Sequence, residues 1–363
     1  MTSRLNKVET IFANSDVDLI AIVPGSNFRY LTGGNFHLME RPTVLLLTKN
    51  SKPVLILPIL ELDVFNKLNI DAEIITWQDK DGYIDAFHKA SEIVGKVNSI
   101  GVEGQRIRFF ESSALQEVFP EAKIVNAHSL ISKVRLLKDS KEIETLKTAI
   151  SISEKSLSNT LNFIKENKTE LQIKNFLIQE LYKNGAEGLS FDPIVLASNN
   201  SALPHGHSGN YELKNGDAIL FDFGASIDGY NADITRTFFL NSANDYQKDF
   251  YNIVLKANLI GIEKSLVNNT LDIVDDSVLK LLEQSKYSEF IVHKTGHGLG
   301  LDVHEDPYVM RGNMDKILAG MVITIEPGLY NPNLLGVRIE DDVFITTEGP
   351  KILTSFTKEL TII

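Results

Sequence analysis

The chain has 363 residues, 43 % hydrophobic and 23 % charged, with a formal net charge of −12 and no cysteine. That length points to two domains, and the balance of apolar and charged residues is that of a globular chain rather than a disordered or fibrous one. The acidic balance argues against nucleic acid or an anionic membrane as partner. The lack of cysteine removes disulfides, thiolate chemistry and Cys-based zinc sites, and no apolar run is long enough to span a bilayer, so a cytoplasmic protein is expected.

Over residues 1–133 strands and helices alternate. DLIAIVP, TVLLLTKN and PVLILP read as buried strands, DGYIDAFHKASEIVGKV as a helix, SIGVEG as a strand and Phe109 to Val118 as a helix. Between the first two strands, GGNFHLMER (Gly33 to Arg41) reads as a surface loop carrying His37, Glu40 and Arg41. Near Val134 the rhythm changes. Asp139 and Glu142 stand at capping-box spacing ahead of Ile143, Leu146, Ile150, Leu157, Leu161 and Ile164, so a second domain, 134–363, is expected to open on a long amphipathic helix. A further helix runs from Thr169 to Asn184 and is stopped by Gly185. Beyond it DPIVLAS, DAILFDFGAS, GYNADITRTFFL, FIVHKTG, MVITIEPG and VRIEDDVFITTEG are candidate strands, with helical stretches from Asp245 to Leu266 and from Leu271 to Lys286. The fold class is therefore α+β, a small α/β domain followed by a mostly antiparallel one with helices on one side.

Four short segments of the second domain carry chemistry. In LFDFGASIDGYNADITRTF the Asp228-Gly229 turn signal folds Asp222 and Asp233 toward one another, and two carboxylates at that range need a shared proton or a cation. Taken alone, the pair is equally well read as two exposed acids beside a turn. HKTGHGLGLDVHE holds His293, His297 and His304; a helical HExxH zinc motif is excluded because Tyr308 stands where the second His belongs. Gly296, Gly298 and Gly300 are read as letting the backbone crowd a small object and hold His297 in a turn. TIEPGLY places Glu326 in an apolar strand, where a buried carboxylate needs a partner. GVRIEDDV sets Arg338 and Glu340 two apart, on one face of a strand. Asp222, Asp233, Glu326, Glu340 and His297 together have the composition of an oxygen-rich centre for two divalent ions, Mn2+ foremost, with Co2+ and Zn2+ as alternatives.

In order and spacing, LPHGHSG, GDAILFDFGASIDGYNADITRTF, TGHGLGLDVHE, VITIEPGLY and GVRIEDDV resemble the motifs of the metallopeptidase family of Xaa-Pro dipeptidases (prolidases), Xaa-Pro aminopeptidases and methionine aminopeptidases. The fold this implies is the pita-bread, creatinase-like one. DLIAIVPGSNFRYLTGG and its surroundings resemble the creatinase-type N-terminal domain of the prolidase and aminopeptidase P branch. The resemblance implies that Asp222 holds one metal, that Asp233 and Glu340 bridge, and that His297 and Glu326 complete the other. It also implies that His205 and His304 hydrogen-bond the substrate carbonyl or oxyanion, that Glu326 shuttles a proton, that Arg338 is the arginine beside the bridging glutamate, and that Tyr230 and Arg236 support the hairpin. His207 matches no family role.

The activity so implied is hydrolysis of small peptides with proline at the second position, most concretely by an Xaa-Pro dipeptidase. An Xaa-Pro aminopeptidase acting on longer peptides, a non-catalytic peptide-binding relative and a metal-free creatinase-like amidinohydrolase are the alternatives. A homodimer is also implied, in which the Gly33 to Arg41 loop completes the partner's pocket and Arg41 receives the dipeptide's free carboxylate.

Overall fold

A computed structural model describes residues 4, 7–13, 15–49 and 51–363. The chain divides into two compact units, Met1–Arg135 and Leu136–Ile363. The first is built on β1 (Leu19–Ile22), β2 (Val44–Thr48), β3 (Val54–Pro58), β4 (Glu73–Trp77), β5 (Ser99–Val102) and β6 (Lys123–Asn126), in the sheet order β4-β3-β2-β1-β5-β6. β1 and β3 flank β2 antiparallel, and the outer pairs are parallel. The central strands are apolar runs because both faces are covered, with Phe87 and Leu115 from the helices Ile84–Val94 and Phe109–Val118 packing on Leu46, Ile56 and Ile100. Burying each such side chain contributes roughly 1.5–3 kcal/mol. The edge strands β4 and β6 are only partly buried, and their mixed sequences EIITW and KIVN carry no strong strand signal. The segment from Gly33 to Arg41 follows a helix, Ser26–Thr32, and not a strand as expected; Gly33, at φ 75°, ends that helix in the left-handed conformation.

In the second unit the strands are β7 (Gly188–Leu189), β8 (Ile194–Ala197), β9 (Ala218–Phe223), β10 (Ala225–Ile227), β11 (Tyr230–Asn231), β12 (Ile234–Phe239), β13 (Gly296–Gly298), β14 (Glu305–Val309), β15 (Val322–Ile325), β16 (Gly328–Asn331), β17 (Leu335–Arg338), β18 (Asp341–Thr346) and β19 (Gly349–Ile352). They form the sheets β12-β9-β8, β11-β10-β7, β14-β13-β15-β18-β19 and β16-β17, and every pairing is antiparallel. The helices Ser140–Leu161 and Glu170–Lys183 bury Leu157, Ile173 and Leu177 against Val195 and Phe221. The helices Asp245–Lys264 and Leu271–Glu283 pack Tyr251, Val254 and Val278 with Val337 and Ile339 in a second core. The long helix starts where its capping box predicts: Glu142 N–H donates to Asp139 Oδ1 at 2.9 Å and Asp139 N–H to Glu142 Oε2 at 2.8 Å. Ile164 lies past its end.

Two strand expectations fail. In FIVHKTG only Gly296 belongs to a strand, and the Thr295 N–H donates to Asp275 Oδ1 at 2.8 Å instead of to a ladder. VRIEDDVFITTEG is not one strand: β17 ends at Arg338, β18 begins at Asp341, and Ile339 and Glu340 form the break. Arg338 and Glu340 therefore do not share a strand face.

Asp139→Ala should lower stability by about 1 kcal/mol, the usual value of an N-cap. The urea midpoint measures it, and an unchanged midpoint would show that the box does not hold the helix start.

Candidate metal centre

β9 and β12 pair with Thr235 directly opposite Asp222. Asp233, two residues before Thr235, lies on the same face, so register alone brings Asp222, Asp233 and Thr235 together. Beyond them, β10 and β11 close over Asp228 and Gly229, both with positive φ (46° and 75°), as a two-residue hairpin turn requires. Glu340 enters from the break between β17 and β18; its N–H donates to Thr235 O at 3.1 Å, and its Oε2 accepts from Thr235 Oγ1 at 2.7 Å. Glu326 stands just past β15, anchored by its N–H to Thr295 O at 2.8 Å.

His297 is the middle residue of β13, on a strand and not in a turn. The flanking glycines serve a different purpose from the one expected. A Cβ on Gly296 would lie 1.9 Å from Thr324 O, and one on Gly298 2.3 Å from Asp306 O, so they let neighbouring backbone approach rather than crowd a bound object. His297 Nδ1 contacts Gly298 O at 3.1 Å, and as the donor there it turns Nε2 to within 3.3 Å of Glu326 Oε1 and 3.7 Å of Asp233 Oδ2.

Three overlapping triads have ligand atoms mutually within 4.8 Å: Asp222, Asp233 and Glu340; His297, Glu326 and Glu340; Asp233, His297 and His304. The first two share Glu340. Buried Oδ1 atoms of both Asp222 and Asp233 have no hydrogen-bond partner. Burial, then the charges of Glu340 and Asp222, push the Asp233 carboxyl well above the usual range; burial, then Glu326 and Asp222, do the same to Glu340. Burial also works to raise Glu326, but His297, His293 and Arg338 outweigh it and hold the carboxyl at about 2. Orphaned acceptors and mutually repelling oxygen ligands around one imidazole are the donor set of a hard divalent ion.

These groups line a cavity of about 510 Å3 with Phe191, Ile194 and Pro204 on its apolar side. His205, His293, Lys294 and His304 also line it, while His207 is exposed elsewhere. The His304 ring lies 4.1 Å from that of His297, and burial followed by the His297 charge lowers it to about 4, so it is neutral at pH 7.

Sequence reasoning missed a buried chain behind the ligands. The Arg338 guanidinium pairs with Asp222 Oδ2 and donates to Thr235 Oγ1 at 3.1 Å and to Tyr330 OH at 2.7 Å. Tyr330 OH meets His293 Nε2 at 2.7 Å, and His293 Nδ1 meets Lys294 O at 2.7 Å. The only signal was the Tyr330 of EPGLY and a histidine four residues before His297. Tyr230 OH donates to Glu142 at 2.8 Å, tying the hairpin to the long helix, whereas Arg236 donates to the Glu340 carbonyl and to Asp341, not to the hairpin turn. In the first unit, Arg41 is held by Asp79 at 2.8 Å and by Glu40, so its charge is already engaged.

Residues 144–347 match the model of metallopeptidase family M24, and residues 4–137 match that of the Creatinase/Prolidase N-terminal domain. The chain belongs to the M24 family: it is a metallopeptidase with a creatinase-type N-terminal domain and a pita-bread catalytic domain. It is similar to an Xaa-Pro dipeptidase from Bacillus anthracis, with a TM-score of 0.91 and 31 % identity over 100 % of this chain and 99 % of that one. It is also similar to a recombinant prolidase from Thermococcus sibiricus, with a TM-score of 0.93 and 30 % identity over 100 % and 99 %. YkvY of Bacillus subtilis (strain 168) is 32 % identical over 362 residues, 99 % of this chain and 100 % of that protein. Among the described residues no helix is long and apolar enough to cross a membrane.

The raised carboxyls set a pH dependence. Asp233 and Glu340 bind protons more tightly folded than unfolded, so the metal-free protein is favoured at low pH and loses stability as pH rises from about 4 through their raised values. A divalent ion displaces those protons, so the gain in Tm on adding Mn2+ should grow from pH 5 to pH 8 (about these bounds). A gain that is the same at every pH would contradict the cluster as the binding site.

Proposed function

We propose that the chain is a dinuclear-metal-dependent Xaa-Pro dipeptidase. The observation that carries this reading is the pair of ligand triads sharing Glu340 at the wall of a cavity sized for a small peptide. Asp222 would hold one ion, His297 and Glu326 the other, and Asp233 and Glu340 would serve both. Two divalent ions there, Mn2+ by preference, supply a water nucleophile at neutral pH and a Lewis acid for the scissile carbonyl. The chain's own groups do the rest. Glu326, ionised because His297, His293 and Arg338 hold its carboxyl low, accepts a proton and returns it to the leaving nitrogen. A bond to proline has an imide nitrogen that must be protonated to depart, so a proton carrier at this position fits that substrate. Neutral His304 donates to the developing oxyanion, with His205 reaching the same cavity. Arg338 keeps Asp222 in place.

A dipeptidase must also bind a free carboxylate. Arg41 is engaged by Asp79 and Glu40, whereas Lys294 lines the cavity with its ammonium 5.0 Å from the centre of the Tyr308 ring. Lys294 therefore takes the role first considered for Arg41. Met39, Leu60, Val64 and Phe109 are exposed on the first unit, which supports a homodimer in which the loop bearing the exposed His37 reaches the partner's cavity. A chain without cysteine suits a reducing, cytoplasmic setting.

With Mn2+ supplied, kcat/KM for Xaa-Pro dipeptides should exceed that for Xaa-Pro-Yaa tripeptides by about tenfold or more, about 1.4 kcal/mol of discrimination; the reverse order would make the enzyme an Xaa-Pro aminopeptidase. Asp233→Asn and Glu340→Gln should each weaken binding of both ions and abolish turnover. Two ions at wild-type affinity in either variant would remove its role as a bridge. His304→Ala should lower kcat roughly 10²-fold with metal content unchanged; loss of metal would instead make His304 a ligand.

A further inference from the structure

Lys138 and Glu305 form an ion pair at 2.7 Å with side-chain exposures of 1 % and 4 %, and the reading above gives it no part in the reaction. A buried pair of this kind contributes little net stability because both ions lose their hydration, so the role of this one is sought in geometry. Its surroundings define that role. Glu305 is the first residue of β14 and directly follows His304. The turn from Gly298 to Glu305 is folded over its carboxylate: Oε1 takes the Lys138 ammonium, and Oε2 accepts the Asp302 N–H at 3.2 Å. Gly300 lies so close that a Cβ there would meet Oε1 at 2.7 Å. The outer side of the turn is held by Asn231, whose N–H and Nδ2 donate to Gly300 O at 2.9 and 3.1 Å. Lys138 is itself fixed, its N–H donating to Gly320 O at 2.8 Å immediately before the Asp139 cap.

We propose that Lys138 is a positioning residue for the reaction: through Glu305 it fixes the turn that presents His304 to the cavity. This rests on the role given to His304 under the proposed function. The pair works as a latch between the start of the long helix and the turn after β13, and His304 is aimed because the carboxylate of the next residue is held on both oxygens.

Removing Lys138 alone takes one ammonium from the buried Glu305 carboxylate and can unfold the protein, so the test uses the neutral double variant Lys138→Met with Glu305→Met. Replacing both ions by apolar groups of similar size is tolerated in stability. It should keep its thermal midpoint and bound metal, lose roughly tenfold in kcat on an Xaa-Pro dipeptide with KM unchanged, and broaden or double the His304 ring signals in NMR spectra of the metal-free protein. Adding His304→Ala to it should cost no more than His304→Ala alone, because one route carries both effects. A double variant with wild-type kcat and a single sharp His304 signal, while His304→Ala is impaired, overturns the latch and leaves the reading of His304 standing. Fully additive losses overturn it too. Wild-type activity in His304→Ala removes the role of His304 and the latch with it.

Discussion

Carboxylates buried side by side repel one another in a medium that screens them poorly, and the second unit is arranged around that repulsion. Asp222 and Asp233 converge on Glu340 from one side and Glu326 from the other, and among the described residues the guanidinium of Arg338 pairs with Asp222 while the His297 imidazole stands beside Glu326. One guanidinium cannot neutralise four carboxylates. The remainder appears as the raised carboxyls of Asp233 and Glu340 and as the orphaned oxygens of Asp222 and Asp233. On the reading proposed above, a pair of divalent ions would relieve all of these at once.

The scaffold's part is to hold the ligands where they do not choose to be. Each comes from a strand end, a break or a crowded strand: Asp233 before β12, Glu326 after β15, Glu340 between β17 and β18, and His297 between glycines that admit neighbouring backbone. Hydrogen bonds behind the ligands fix their approach. Thr235 serves Glu340 from both its carbonyl and its hydroxyl, Asp342 accepts the Asp233 N–H at 3.2 Å, and Arg236 gathers the Glu340 carbonyl with Asp341 and the Phe356 carbonyl. A site preorganised in this way can reject protons in favour of metal without rearranging.

What the sequence made legible follows from how local the determinants are. The capping box at Asp139 and the Asp228-Gly229 turn act over two or three residues and stand where they were read. The five candidate ligands were legible because each breaks a local pattern: an acid in an apolar strand or a histidine among glycines. What was illegible depends on partners distant in the chain. His293 and Tyr330 look like ordinary loop and strand residues until folding sets them 2.7 Å apart, and Lys138 meets Glu305 across 167 positions. The strand break at Ile339 and Glu340 has no glycine or proline to announce it; it arises because the Glu340 N–H is claimed by Thr235 O. Arg41 looked available only because Asp79 lies 38 residues further along the chain.

The central claim is that the converging carboxylates hold two ions that share ligands. Electron paramagnetic resonance of the Mn2+-loaded protein tests it most directly, since bridging carboxylates couple the two spins. The account predicts a multiline spectrum of a coupled pair at saturation, with two Mn2+ per chain. Saturation at one ion per chain, or two ions giving only the six-line spectrum of isolated Mn2+, would contradict it.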